Sequence, residues 1–146
     1  MNKKEHWESV YHNKLAEELS WYQEASTISL SITQYFNLQK DAPIIDVGGG
    51  ASVFVDGLLQ AGFEKISVLD LSFRALELAK TRLGKSAEKV TWLVADVTEF
   101  EAKQKYVFWH DRAVFHFLTS MGNKFDNKRK LKDVYKEFKE AEVLNY

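Results

Sequence analysis

The sequence predicts an α/β fold in which helices cover a parallel sheet. Short apolar runs alternate with amphipathic stretches between residues 44 and 109, and glycines follow the helical stretches. The first apolar run, Ile44–Val47, leads directly into the glycine turn Gly48–Gly50. Because alternating strands and helices join through right-handed crossovers, the strands should all run in the same direction.

The elements follow in order along the chain. Residues 1–40 are predicted to be helical, with Ser26 as a helix cap and Pro43 ending the region. Apolar residues recur there at helical spacing, at Ile28, Ile32, Tyr35 and Phe36. The predicted strands are Ile44–Val47, Ile66–Leu69, Val90–Val94 and Tyr106–Trp109, and the predicted helices after the first strand are Ser52–Gln60, Ser72–Leu83 and residues 127–140.

The helix Ser72–Leu83 is predicted to cover the sheet. One of its faces carries Phe73, Leu76, Ala79 and Leu83, whereas the other face is charged. A glycine follows its last turn and should end it. We therefore expect the apolar face to lie against the strands.

Composition limits the classes of function. The chain has 146 residues, 45% of them hydrophobic, a formal net charge of -1 and no cysteine. A chain of this size forms one domain, and its charge gives no general attraction to nucleic acid or to an anionic membrane. Without cysteine there are no disulfides and no thiolate metal sites, and no metal site is predicted. No apolar run approaches the ~20 residues that span a bilayer, so the expected location is the cytoplasm.

The glycine turn is the main functional signal. Glycines accept positive φ and let a ligand lie against the backbone. Asp70 and Asp96 end the next two apolar runs, and ligands of open α/β sheets bind at the carboxyl ends of the strands. Asp70 falls about 20 residues after the glycines, where an acid can accept hydrogen bonds from ribose hydroxyls. Asp46, within the first strand, either holds the turn's N–H groups or contacts the ligand.

The dinucleotide-binding fingerprint fits this turn less well. That fingerprint has a third glycine at the position of Val53, and it does not require an acid within the first strand. A dehydrogenase or another adenosine-binding module is therefore a less favoured hypothesis.

The motifs resemble those of a known family. Asp46-x-Gly48-x-Gly50-x-Ser52, Asp70 at the second strand end and Val94-Ala95-Asp96-Val97 are similar to the cofactor motifs of class I, seven-strand S-adenosylmethionine-dependent methyltransferases. Ser52 stands where the full motif has a third glycine, and serine is favourable at a helix start. The resemblance implies a Rossmann-like, doubly wound parallel sheet in three layers.

The resemblance also implies roles for individual residues. Gly48 and Gly50 would lie under the methionine and sugar parts of the cofactor, Asp70 would hold the ribose, and Asp96 would accept from the adenine amino group. Further cofactor-binding residues expected at these positions are Trp21, Asp46, Leu71, Val97 and His110. For His110, a histidine satisfied by its neighbours is nearly as favoured, and Trp21 and Tyr22 either close over the cofactor or only pack the N-terminal helices.

Two flanking segments narrow the resemblance. They are similar to segments of small methyltransferases, a group that includes elongation-factor and citrate-synthase lysine methyltransferases and their bacterial relatives. The segments are Trp7-x-x-x-Tyr11 with Ser20–Gln23, and Trp109–Leu118 downstream. The resemblance covers about residues 3 to 119. It implies three strands after the fourth, so the sheet is expected to be incomplete at its C-terminal strands, with at most a short fifth strand at Glu142–Tyr146. The fourth strand would then form an exposed edge that favours a homo-oligomer.

These observations lead to one functional hypothesis and one alternative. The chain is interpreted as a single methyltransferase domain, with an N-terminal helical lid (1–40), a cofactor-binding core (41–119) and a helical tail (120–146). Its acceptor is a protein or small molecule, with a protein lysine as the first candidate. Asp111 is the candidate catalytic acid because it follows the fourth strand; pairing with the charges near Arg112 is its structural alternative. The functional alternative is a fragment that binds the cofactor without turnover.

Overall fold

The described part of the chain contains a parallel sheet of five strands. The computed structural model describes residues 2–13, 24–50, 52–111 and 142–145. Within these residues the strand order is β3-β2-β1-β4-β5, and every pair is parallel. The strands are β1 (Ile44–Val47), β2 (Ile66–Asp70), β3 (Val90–Val94), β4 (Phe108–Asp111) and β5 (Glu142–Asn145).

The described α-helices number four. Two precede the sheet, one follows β1, and one follows β2 and continues into a 3₁₀ helix at Gly84–Lys89. The α-helices are α1 (Lys3–Asn13), α2 (Glu24–Tyr35), α3 (Phe54–Gln60) and α4 (Phe73–Leu83). No helix in the described ranges is both long and apolar enough to cross a membrane.

Two core clusters of the described residues lie on opposite faces of the sheet. Ile44 packs into the first cluster with the apolar residues of α2, α3 and α4. Its neighbour Ile45 packs into the second cluster, which is built on the segment 95–106 and on Trp109 of β4. Successive strand residues point to opposite faces, so both faces of β1 are buried. The predicted fold class, a doubly wound parallel α/β sheet, is confirmed.

The start of α2 differs from the prediction, and two of the four apolar residues noted there are exposed. The helix begins at Glu24, so Ser26 lies inside it rather than at its cap. Ile28 and Tyr35 are 57% and 84% exposed. Ser29 and Thr33 are buried instead. Ser29 lies on the inner face of this helix because its hydroxyl is hydrogen-bonded to His110 of β4.

Helices α3 and α4 begin later than predicted. Ser52 precedes α3, and its hydroxyl accepts from the Phe54 amide at 3.1 Å. Ser72 is the cap of α4, and its hydroxyl accepts from the Ala75 amide at 3.1 Å. Phe73 is exposed, contrary to the prediction, because it lies in the first turn, beyond the face that α4 buries.

The fourth strand is also displaced from its predicted position. It spans Phe108–Asp111 rather than Tyr106–Trp109, and all four residues are buried. The expectation that this strand forms an exposed edge is wrong, since β5 pairs with it in parallel, Phe108 opposite Glu142 and Asp111 opposite Asn145. The predicted helix at 127–140 lies outside the described residues.

Candidate functional site

The glycine turn after β1 has the backbone geometry predicted for it. Gly48 and Gly50 both have positive φ, 70° and 34°. The amides of Gly48 and Gly49 donate to the carbonyl of Leu69 at 2.7 and 3.3 Å. The turn is therefore fixed to the end of β2, and it presents its backbone at the carboxyl edge of the sheet.

Gly49 is required for a different reason, which the sequence analysis missed. A Cβ atom at this position would lie 2.5 Å from Asp46 Oδ2 and 2.8 Å from Val68 Cγ1. Both distances are shorter than real Cβ contacts. The run of three glycines in the sequence is a signal for this requirement, although the cofactor motif involves only Gly48 and Gly50. Gly49 lets the turn fold down directly onto the Asp46 carboxylate.

The turn is also connected to the two helices that follow it. Arg82 of α4 donates from Nη2 to the carbonyl of Ser52 at 2.9 Å. The same guanidinium contacts the carboxylate of Asp56 in α3 with two bonds of 3.0 and 2.7 Å. Arg82 therefore joins the backbone after the turn to both helices.

Asp70, the last residue of β2, is buried beside the turn. Its Oδ1 accepts from the Ser72 amide at 2.8 Å. Burial raises the pKa of this carboxyl from the usual 3.8 to about 7; the backbone amides of Ser72 and Gly50 oppose this rise, while Asp46 and Glu8 add to it. Asp70 thus changes charge near neutral pH.

Asp96 has a comparable local role after β3. Its Oδ1 accepts from the amide and the hydroxyl of Thr98 at 2.9 and 2.6 Å. Neither the Asp70 nor the Asp96 carboxylate is unpaired, because each accepts a hydrogen bond from the backbone amide two residues further on. Leu71 and Val97 come directly after these acids; Leu71 is half-buried and Val97 is buried.

Asp46 is bonded to β4 rather than to the turn. Its Oδ1 lies 2.7 Å from Nδ1 of His110, and Nε2 of the same ring lies 2.8 Å from Oγ of Ser29. Oδ2 of Asp46 is buried without a hydrogen-bond partner among the described residues. The ring of His110 also packs against Phe54, with centroids 4.3 Å apart. Both ring nitrogens are occupied within the protein, so the ring of His110 is held by its neighbours.

The strand register brings these residues to one edge. Val47 lies opposite Leu69 on one side and Asp111 on the other, and Asp70 lies opposite Val94. Asp111 is the last residue of β4 and is buried. Trp21, Tyr22 and Arg112 lie outside the described residues.

A family model supplies the decisive comparison. The model for the methyltransferase domain matches residues 45–138, which include the glycine turn and the ends of β1 to β4. The chain belongs to this family. The methyltransferase identification made from the motifs is thus confirmed.

A relative and several solved structures are similar to this methyltransferase domain. EEF1A lysine methyltransferase 2 of Mus musculus is 29% identical over 90 residues, which cover 56% of this chain and 37% of that protein. The glycopeptide N-methyltransferase MtfA complexed with S-adenosyl-L-methionine matches with a TM-score of 0.64 and 15% identity over 80% of this chain and 52% of its own. The methyltransferase domain of bacterial CtHen1-C matches with a TM-score of 0.67 and 19% identity over 84% and 64%.

The structural matches establish the fold and extend over most of this chain. The DhpI-SAM-HEP complex has a TM-score of 0.70 at 8% identity, and the match covers 97% of this chain and 62% of that one. The chain spans about a third of the length of its lysine methyltransferase relative and between half and two thirds of these solved chains.

Proposed function

We propose that the carboxyl ends of β1, β2 and β3 bind S-adenosylmethionine and that the domain transfers its methyl group to a protein lysine. The observation that carries the proposal is the glycine turn at Gly48–Gly50, set between the buried carboxylates of Asp46 and Asp70. A side-chain-free backbone beside acceptor groups is suited to a ligand that has ribose hydroxyls and an ammonium group.

Each carboxylate has a part in this proposal. Asp70 would accept hydrogen bonds from the ribose, and Asp96 from the adenine amino group. Leu71 and Val97 would border the adenine, and Trp21 would belong to the N-terminal lid. The unpartnered Oδ2 of Asp46 supports a polar ligand group nearby, because a buried oxygen without a hydrogen bond costs about 1–3 kcal/mol.

The chemistry requires mainly orientation. When bound, the cofactor supplies a sulfonium methyl group that is open to direct displacement. The protein has to hold the acceptor in line, and a lysine ammonium must first lose a proton. Asp111, at the end of β4 beside β1, is proposed to receive or orient that proton.

The choice of acceptor rests on the relative. The similarity to EEF1A lysine methyltransferase 2 supports a protein lysine over a small molecule. The alternative function is cofactor binding without turnover, and a methyl-transfer assay separates the two. Radiolabelled S-adenosylmethionine should label a lysine-containing protein acceptor only if the domain is active.

Calorimetry tests the cofactor first. S-adenosylmethionine and S-adenosylhomocysteine should bind to the folded domain, and NAD should not. Gly50→Val is the matched control and should abolish binding, because a β-branched side chain resists positive φ and occupies the ligand's space. Tight binding of NAD alone would support the dehydrogenase hypothesis instead.

A further inference from the structure

Three buried side chains form a continuous hydrogen-bonded chain behind the proposed cofactor site. Oγ of Ser29 lies 2.8 Å from Nε2 of His110, and Nδ1 of His110 lies 2.7 Å from Oδ1 of Asp46. The three residues are 2%, 3% and 2% exposed. A carboxylate can only accept, so the proton on Nδ1 is assigned by its partner. In the neutral ring Nε2 then accepts from the Ser29 hydroxyl.

The chain joins three elements that are distant in sequence. Ser29 belongs to α2, His110 to β4 and Asp46 to β1. The next residue of α2, Leu30, packs on α3 at Gly57, where a Cβ atom would collide with the Leu30 side chain. Helix α2 is therefore held at two adjacent positions, one polar and one apolar.

The order of these groups is also that of a nucleophilic serine triad, but their burial excludes that role. A nucleophile must reach its substrate, and the hydroxyl of Ser29 is enclosed beneath α2. The Ser29–His110–Asp46 hydrogen bonds can instead fix the position of the Asp46 carboxylate. Asp46 Oδ2 lies directly under Gly49, so a shift of this carboxylate changes the space available to the glycine turn.

We propose that Ser29 is a positioning residue for the cofactor site: through His110 it holds the Asp46 carboxylate under the glycine turn, so that docking of α2 and cofactor binding strengthen each other. This inference rests on the proposed function. Because such coupling is reciprocal, bound cofactor must also stabilise α2.

Ser29→Ala tests the inference, with Ser31→Ala as the matched control. Ser31 lies on the same helix, is exposed, and bonds only the carbonyl of Thr27 among the described contacts. Calorimetry with S-adenosylhomocysteine should show binding about 3- to 10-fold weaker for Ser29→Ala, the effect of one net hydrogen bond, and within about twofold of wild type for Ser31→Ala.

Nitrogen NMR of the histidine rings gives a readout that loss of stability alone would not move. The Nε2 signal of His110, assigned with His110→Gln, should shift in Ser29→Ala and stay in place in Ser31→Ala. Hydrogen exchange of the wild-type protein remains decisive even if Ser29→Ala does not fold. S-adenosylhomocysteine should slow exchange in α2 and leave the 3₁₀ helix Gly84–Lys89 unchanged.

The possible failures are distinct. Equal affinity of Ser29→Ala and Ser31→Ala, or a lowered melting temperature of Ser29→Ala at unchanged affinity, overturns the inference alone. So does unchanged exchange in α2 when the ligand binds. A folded wild-type protein that binds neither S-adenosylmethionine nor S-adenosylhomocysteine overturns both the proposed function and the inference.

Discussion

Asp70 combines two properties that oppose each other. Its burial favours the neutral acid, whereas the hydrogen bonds proposed from the ribose hydroxyls would favour the carboxylate. Its pKa of about 7 lies well above the 3.8 of the unfolded chain, so between these values the folded state binds more protons. The contribution of Asp70 to stability therefore falls as the pH rises from about 4 to about 7.

The first prediction is that cofactor binding strengthens as the pH rises through 7. If the ligand binds only to protein in which Asp70 is ionised, S-adenosylhomocysteine should bind about tenfold more weakly at pH 6 than at pH 8. Calorimetry at both values measures this ratio. Asp70→Asn is the control, because it cannot ionise and any titration of the ligand itself persists in it. The same pH ratio in wild type and Asp70→Asn would remove Asp70 from the binding equilibrium.

The second prediction concerns Gly49. Gly49→Ala should weaken S-adenosylhomocysteine binding at least about tenfold and lower the free energy of unfolding by about 1–3 kcal/mol, because the new methyl group displaces the Asp46 carboxylate and Val68. Gly62→Ala is the comparison. Its φ is 88°, but its nearest neighbour is Lys40 Cδ at 4.0 Å, so it should lose stability without losing affinity. Calorimetry with denaturant melts separates the two effects, and equal affinities would contradict the crowding argument.

At the scale of the element, α2 makes contacts that helical periodicity only partly predicted. Ile32 and Phe36 pack against the core, whereas Ile28 and Tyr35 are exposed. Ser29 and Leu30 contact β4 and α3. Gly57 leaves room for the Leu30 side chain, because a Cβ atom at position 57 would collide with it. The attachment of α2 thus depends on a small residue in a different helix.

The third prediction follows from this contact. Gly57→Ala should destabilise the domain by about 1–3 kcal/mol, although alanine is the better helix former by about 1 kcal/mol. The double variant Gly57→Ala with Leu30→Ala should recover part of the loss, because the shortened side chain makes room. Urea melts measure both. A stabilised Gly57→Ala protein would show that Leu30 moves aside without cost.

The sequence predicted β1, β3 and the glycine turn well, because local signals define them. A buried run ends in glycines at Gly48, and Gly84 stops α4 where expected. The Ser29–His110–Asp46 chain could not be predicted, because its bonds join residues 81 and 64 positions apart. Serine in a helix is usually a surface residue, and only the folded chain brings it to a histidine of β4.

For the whole molecule, the last described strand changes the expected edge of the sheet. β4 lies between β1 and β5 and pairs with both. Among the described strands, β3 and β5 form the edges. A homo-oligomer through the sheet edge therefore remains a prediction, with β5 rather than β4 as the strand that would pair.

The fourth prediction tests whether β5 covers the edge of β4. Leu144→Pro removes a backbone donor from β5, opposite His110, and should cost about 0.5–3 kcal/mol in the free energy of unfolding. Leu144→Val keeps the backbone donor and is the control. Size exclusion with light scattering should also show more association for the proline variant, because the edge of β4 is then exposed. Identical melts and masses for the two variants would mean that β5 does not cover β4.

The central place of β1 has a consequence for the nascent chain on the ribosome. Its first partner, β2, follows within about 20 residues, but its other partner, β4, follows only after about 60. At synthesis rates of about 5–20 residues per second, one side of β1 waits roughly 3–12 s for its neighbour. In the last part of that interval, after β3 is made, a β3-β2-β1 unit presents an unpaired edge of β1, where a chaperone or a neighbouring nascent chain can pair.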